Sequence, residues 1–439
     1  MLSVETPMTS TQTIENTQQS KYLPWIVCFA AALFFFYEFI QMNMFNAISP
    51  DLMRDFGINA TQLGQLSAYY FYATIIFLPI AGTLLDRFST RTIILTALAT
   101  CTIGIAAFAV SHSLAWSGVF RFMSGIGSAF CFLSSIRLAS RWFPSQRMAL
   151  VAGLIVTMAM TGGMVAQTPL TLLSEYLGWR HALLLDACLG LIIGGIIFMV
   201  VRDFPAGMQE QQQASHAQLK EMGLLKSWKL SYLNYHNWFG GFYTCLLNLP
   251  VALLGAIWGS LYLEQVQHLT RTQASLVPTM LFIGTIIGCP VMGWISDHLR
   301  RRILPMVVGA ILSLAIALII MYVPQLSLTS YIILFLILGF ITSTQVISYP
   351  LITESNPKAL TATSVSVISF CAMSGYAVFQ PVFGWLLDLH WDGKIINNLH
   401  IYSVTDFHRA LLILPIGFIV ALFFCGFLKE TNCQSSEQH

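Results

Sequence analysis

Glu38, Gln41, Asn43 and Asn46 interrupt a run that otherwise carries Phe34, Phe35, Phe36, Phe39 and Phe45. On a helix advancing about 100° per residue, Gln41 lies roughly −60°, Asn46 roughly +80° and Asn43 roughly +140° from Glu38. A carboxylate and amides therefore share most of one face of an otherwise apolar helix. Arg121 is a second charge of this kind, inside the apolar stretch around RFMSGIGSA. Burial favours the neutral form of a carboxylate and a nearby cation favours its charged form, so Glu38 beside Arg121 could take up and release a proton. Alternatively Glu38 holds the ammonium, and Arg121 the carboxylate, of a zwitterionic solute. Permanent pairing of the two is the competing reading, because charges in hydrocarbon usually pair.

Elements that could position such groups follow from composition. Only 9% of the residues are charged and 56% are hydrophobic, against roughly 25% charged in a soluble domain. Lipid must be the main solvent. A helix needs about 20 mostly apolar residues to cross the hydrocarbon, and the 439 residues predict an all-α membrane protein of twelve spans. Most of the Lys and Arg fall on one side if both termini are cytoplasmic, among them Arg87, Arg91, Arg141, Arg300, Arg301 and Arg302. Positive charge is retained inside during insertion. No cleavable leader is evident, so the first span is expected to stay as an anchor.

The chain reads GTLLDRFSTR from Gly82 and GWISDHLRRR from Gly293, each where one apolar run ends and the next begins. Recurrence at a 211-residue step indicates a duplicated six-helix unit. The expected organisation is a tail at 1–22, a bundle at 23–202, a linker at 203–235, a second bundle at 236–428 and a tail at 429–439. Amphipathic and solvated readings of the linker both fit. Further polar or aromatic candidates for a central cavity are Tyr69, Tyr70 and Tyr72, then Gln167, Asn248, Trp258, Gln345, Tyr349, Tyr376 and Gln380. Together they suit a small polar or amphipathic solute. Pro79, Pro169, Pro250 and Pro381 are expected to mark bends, and Asp186 and Glu264 to meet water or loop charges near the outer ends.

These motifs resemble those of the major facilitator superfamily over nearly the whole chain. Gly82, Asp86, Arg87 and Arg91 match its Gly-x-x-x-Asp-Arg-x-Gly-x-Arg motif, with Ser89 replacing the second glycine. Gly293, Asp297, Arg300 and Arg301 form the second copy, with His298 in place of the first arginine, and Gly384 and Asp388 repeat the spacing on the outer side. Arg121, Gly125, Gly127 and Ala129 match a further motif, and Arg141, Phe143, Pro144, Arg147, Gly178, Trp179 and Arg180 fit recurrent structural positions. The resemblance implies two pseudo-symmetric six-helix bundles around a midplane site. It also implies gating by Gly82, Asp86, Arg87, Arg91, Gly293, Asp297, Arg300 and Arg301. Gly82 is expected to permit close helix approach.

Stretches such as NLPVALLGAIWGSLYL are similar to a bacterial branch of organic-solute and phagosomal nutrient permeases, and more distantly to lysosomal dipeptide carriers. That likeness implies proton symport of an amino acid, short peptide or similar metabolite across the inner membrane, by a protein working as a monomer. The antiporter signature would place Gly-Pro where Ala166 and Gln167 stand, which disfavours the alternative of drug or siderophore export by antiport. A membrane-embedded enzyme or sensor is the remaining class. No HExxH, Gly-x-Ser-x-Gly or phosphate-binding loop is present, and the cysteines and histidines lack metal spacing. No cofactor and no nucleic-acid partner are expected; the partners are a small-molecule substrate, protons and the bilayer.

Overall fold

The computed structural model describes residues 22–143, 147–204, 231–324, 326–356 and 361–433. Twelve helical crossings result when the bent pair Tyr235–Leu247 and Val251–Gln267 is taken as one. The first crossing is α1 (Leu23–Asn43) continued by α2 (Phe45–Phe56). The second to fourth are α3 (Ala60–Arg87), α4 (Thr90–Val110) and α5 (Leu114–Trp142). The fifth joins α6 (Met148–Val165) to α7 (Thr168–Leu177), and the sixth is α8 (Trp179–Val200).

The seventh crossing runs from α9 (Tyr235–Leu247) through a π-helical stretch, Val251–Trp258, into α10 (Gly259–Gln267). The eighth and ninth are α11 (Arg271–Leu299) and α12 (Ile303–Tyr322). The tenth joins α13 (Leu328–Thr342) through a 3-10 turn, Ser343–Ile347, to α14 (Ser348–Ser355). The eleventh is α15 (Thr361–Asp388), and the twelfth joins α16 (Val404–Leu411) to α17 (Ile413–Cys425). Twelve crossings put the start of α1 and the end of α17 on one side, here called proximal; the other side is distal.

The duplication reaches the helix caps. Asn59 and Gln62 form a capping box at the start of α3, and Thr270 and Gln273 form another at the start of α11. These pairs are separated by the same 211-residue step. A side-chain oxygen satisfying an orphan N–H fixes where each helix begins, so the two halves start their second crossing in the same manner.

The surface is apolar as well as the core, unlike that of a soluble protein. Leu191, Ile192, Phe198 and Met199 on α8, and Val308, Ile311 and Leu312 on α12, are exposed, as lipid-facing positions should be. Small residues draw the helices together within each half. Gly284 on α11 lies against the Leu336 backbone and Gly339 on α13 against that of Leu281; lipid offers no hydrophobic drive between helices, so close backbone packing supplies much of the cohesion. The second and eleventh crossings, and the fifth and eighth, join the halves.

Several crossings are broken at polar residues. The first breaks at Met44 between Asn43 and Asn46, the fifth at Ala166–Gln167 and the seventh at Asn248–Pro250; the tenth narrows to a 3-10 turn containing Gln345. Pro169 and Pro250 sit at such breaks, as proline lacks the N–H that would continue the ladder. Pro79 and Pro381 lie inside α3 and α15, which run on through them. The linker reading and Pro144 fall on residues outside those described.

Candidate functional site

Glu38 is 1% exposed and projects into the first half instead of between the halves. The Tyr70 hydroxyl donates to its Oε2 at 2.7 Å. The other oxygen, Oε1, is buried without a hydrogen-bond partner. Gly127 creates that space: a Cβ there would lie 2.5 Å from Glu38 Oε1 and 2.9 Å from the Ala97 carbonyl oxygen. The Gly-x-Gly of the fourth crossing thus serves packing at Gly125, whose Cβ would strike the Tyr70 backbone, and room for a carboxylate at Gly127.

Arg121 is fully buried. Its guanidinium lies over the rings of Tyr70, at 4.4 Å, and Phe45, at 4.7 Å. It donates from Nη2 to the Gln41 carbonyl oxygen at 2.8 Å, while Nε and Nη1 lack partners. The ring faces supply negative potential where water is excluded. The Gln41 side chain turns to the sixth crossing and donates from Nε2 to Asp186 Oδ2 at 2.6 Å. Asp186 is therefore not at the water's edge as expected; it is 7% exposed inside the bundle. Asp186 lies only two turns into α8, after Arg180 and His181, so its place in the sequence suggests the water's edge, whereas its burial depends on which face of α8 meets α1.

Asn46 crosses to the other half. Its Nδ2 donates to Gln167 Oε1 at 2.5 Å and to Ser260 Oγ at 2.9 Å, and its Oδ1 accepts from the Ser260 N–H at 2.9 Å. Gln167 donates on to the Gly255 carbonyl at 2.9 Å. These amides satisfy backbone groups freed by the breaks and by the π segment. In the second half, Gln345 donates to Asn248 Oδ1 at 3.3 Å and Asn248 to the Tyr376 hydroxyl at 3.2 Å. The Tyr376 ring stacks on Phe71 of the first half at 4.7 Å. Gln380 donates to the Ala252 carbonyl at 2.9 Å, and its Oε1 has no partner. Trp258 is completely buried, stacked on Phe383, with its indole N–H unpartnered. Tyr349 is half-buried beside Ser369.

Tyr69 and Tyr72 do not join this set. They are 42% and 38% exposed and continue into the exposed Ile76 and Ile80. That spacing forms one stripe of α3 facing lipid, while the intervening Tyr70 and Phe71 face inward.

Among the described residues, the hydrogen bonds and ion pairs that join the halves gather toward the distal end. Asp388 accepts from the N–H groups of Ala60 and Thr61 and from the Thr61 hydroxyl. Arg271 pairs with Asp51 and donates to the Ala47 carbonyl at 2.7 Å. Thr168 bonds Thr279 and Ser275.

Two proximal clusters among the described residues lie each within one half. Asp203, after the sixth crossing, accepts from the Arg91 N–H at 2.9 Å and bonds Ser89. Glu430, after the twelfth, accepts from the N–H groups of Arg302 and Ile303 at 2.7 and 2.9 Å. Each acid caps the helix three crossings earlier in its own half, α4 or α12. Arg302 also binds Asp297 and Glu354, each at 2.6 Å. The second-half arginine held in place is thus Arg302, one 211-residue step from Arg91, whereas Arg300 and Arg301 are exposed. Around Gly82 and Gly293 an added Cβ would meet no described atom within 4 Å, so neither is a point of close approach here. Gly384 is one, against the Ala60 carbonyl. The side chains of Asp86 and Arg87 lie outside the described residues.

The sequence profile of the Major Facilitator Superfamily matches residues 28–380. The chain belongs to that superfamily. Among its relatives, the membrane sensor protein UhpC of Escherichia coli is 22% identical over 88% of this chain and 89% of that protein. A probable hexose phosphate transport protein of Chlamydia muridarum is 22% identical over 64% of this chain and 67% of its own length. In fold, the chain is similar to a bacterial homolog of the human lysosomal transporter Spinster in an inward-facing, unoccupied conformation. That match has a TM-score of 0.73 and 15% identity, covering 93% of this chain and 96% of the other. A D-xylose-proton symporter gives a TM-score of 0.72 at 13% identity, over 94% and 99%. The superfamily chain is therefore a multi-pass membrane transporter with two pseudo-symmetric bundles, and the enzyme alternative falls away.

Proposed function

We propose that the protein is a secondary active transporter that takes up a small organic solute together with protons by alternating access. Glu38 carries the reading: a buried carboxylate with one unpartnered oxygen, beside a buried guanidinium, has a place for a proton and a reason to exchange it. Asn46, Gln167, Asn248 and Gln345 at or beside helix breaks, with Tyr376 and Gln380 on α15, offer neutral donors and acceptors, which suits a small polar solute such as an amino acid or short peptide. Substrate arrival would compete for these amides and loosen the distal contacts. The positive-inside bias supports a reading with both termini in the cytoplasm of a bacterial inner membrane. Distal then means outside, and the closed distal end corresponds to an inward-facing state. Asp86, Arg87, Arg91, Asp297, Arg300 and Arg301 remain gating candidates on the proximal side, joined by Arg302.

The test is transport in proteoliposomes. Counterflow with an inward pH gradient should accelerate uptake of a substrate identified by thermal-shift screening, since a ligand of the folded state raises its stability. Glu38→Gln should keep counterflow but lose gradient-driven accumulation; unchanged accumulation would refute coupling through Glu38. The name of the sensor relative motivates one rival, ligand sensing without translocation. Saturable binding with no counterflow would select it. Export by antiport, the other rival, would show as solute efflux driven by the same gradient.

A further inference from the structure

The first half buries two carboxylates and one guanidinium in one connected cluster. Glu38 from the first crossing is 1% exposed, Asp186 from the sixth 7% and Arg121 from the fourth 0%. Gln41 links Asp186 to Arg121, its side chain donating to Asp186 at 2.6 Å and its carbonyl accepting from Arg121 at 2.8 Å. Tyr70 links Arg121 to Glu38, its ring lying 4.4 Å from the guanidinium and its hydroxyl donating to Glu38 Oε2 at 2.7 Å. The other titratable groups facing the two carboxylates are Tyr37 on the first crossing, Tyr70 on the second, Cys101 on the third and Cys131 on the fourth. Phenols and thiols are neutral near pH 7, so they add no charge.

With both carboxylates ionised the cluster would hold a net negative charge out of contact with water, which costs several kcal/mol by the general penalty for an uncompensated buried ion. One proton removes it. We propose that Asp186 is a second coupling residue, and that Glu38 and Asp186 share a single exchangeable proton whose presence is set by the one charge of Arg121. Gln41 is the positioning residue that ties Asp186 to the guanidinium. This inference rests on the proton-coupled reading above, yet the charge balance can be measured without any substrate.

Infrared difference spectroscopy of the purified protein in liposomes, titrated between acidic and neutral pH, reads the carboxylic acid C=O band. The wild type should retain one protonated carboxyl at neutral pH. Asp186→Asn and Glu38→Gln should each abolish that band, because the surviving carboxylate then balances Arg121 without a proton. Arg121→Gln should strengthen it, leaving two carboxyls to stay neutral. Asp186→Ser replaces Asp186→Asn if the latter does not purify as a folded protein. A band that persists at wild-type intensity without Asp186, or that vanishes only without Glu38, overturns the shared proton. A shared proton in a protein whose uptake ignores the pH gradient would instead reject only the coupled-transport reading.

Discussion

Asp388 ties the last turn of α15 to the first turn of α3: its Oδ2 accepts from the Thr61 N–H at 2.7 Å and from the Thr61 hydroxyl at 2.5 Å. Tyr402 donates to the other oxygen at 2.7 Å and accepts from the Ala60 N–H at 2.9 Å. A carboxylate at a helix N-terminus meets orphan N–H groups and the positive end of the dipole. Since α3 belongs to the first half and α15 to the second, the contact must break if the distal end opens. Asp388→Asn keeps the shape and removes the charge. Charge-assisted bonds are worth about 1.5–3 kcal/mol, so the open fraction should rise roughly tenfold or more. Thiol labelling of a cysteine replacing Ser275, which is buried against Thr168 of the first half, in a cysteine-free background, reads this. Unaltered labelling would show that Asp388 does not hold the state.

Gly127 faces Glu38 at a distance no Cβ tolerates. Gly127→Ala should lower stability by about 1–3 kcal/mol, the usual cost of overpacking, and impair gradient-driven uptake more than counterflow. Thermal unfolding and the two transport assays separate these effects. Gly82→Ala, at an open position, should do neither.

Arg121→Lys should fail to restore what Arg121→Gln removes. Lysine keeps the charge but cannot span two ring faces and the Gln41 carbonyl with one planar group. Gradient-driven uptake is the readout; full activity of the lysine variant would mean that charge alone suffices.

Arg302→Ala should destabilise the second half by about 1–3 kcal/mol, since it strands the half-buried Glu354 and leaves Asp297 unbound. Arg300→Ala and Arg301→Ala, both exposed, should stay within about 0.5 kcal/mol of the wild type. Melting curves of the three variants give the comparison directly.

Residue order alone determined the solvent, the number of crossings and the duplication, because each is a local or periodic property. Apolar length sets a crossing, and Gly82–Asp86 against Gly293–Asp297 marks the repeat wherever the helices later pack. It also marked Glu38 and Arg121, since a charge within a hydrocarbon-length run is anomalous without any partner in view. Only the tertiary structure decided where those charges point. Glu38 turns into its own bundle, Asp186 joins it through Gln41, Tyr70 replaces Tyr69 and Tyr72 on the inner face, and Arg302 takes the place expected of Arg300 and Arg301. In each case the choice depends on how one helix is set against its neighbours, a quantity fixed by contacts between different crossings, such as Glu38 with Tyr70, Gln41 with Asp186 and Arg302 with Glu354.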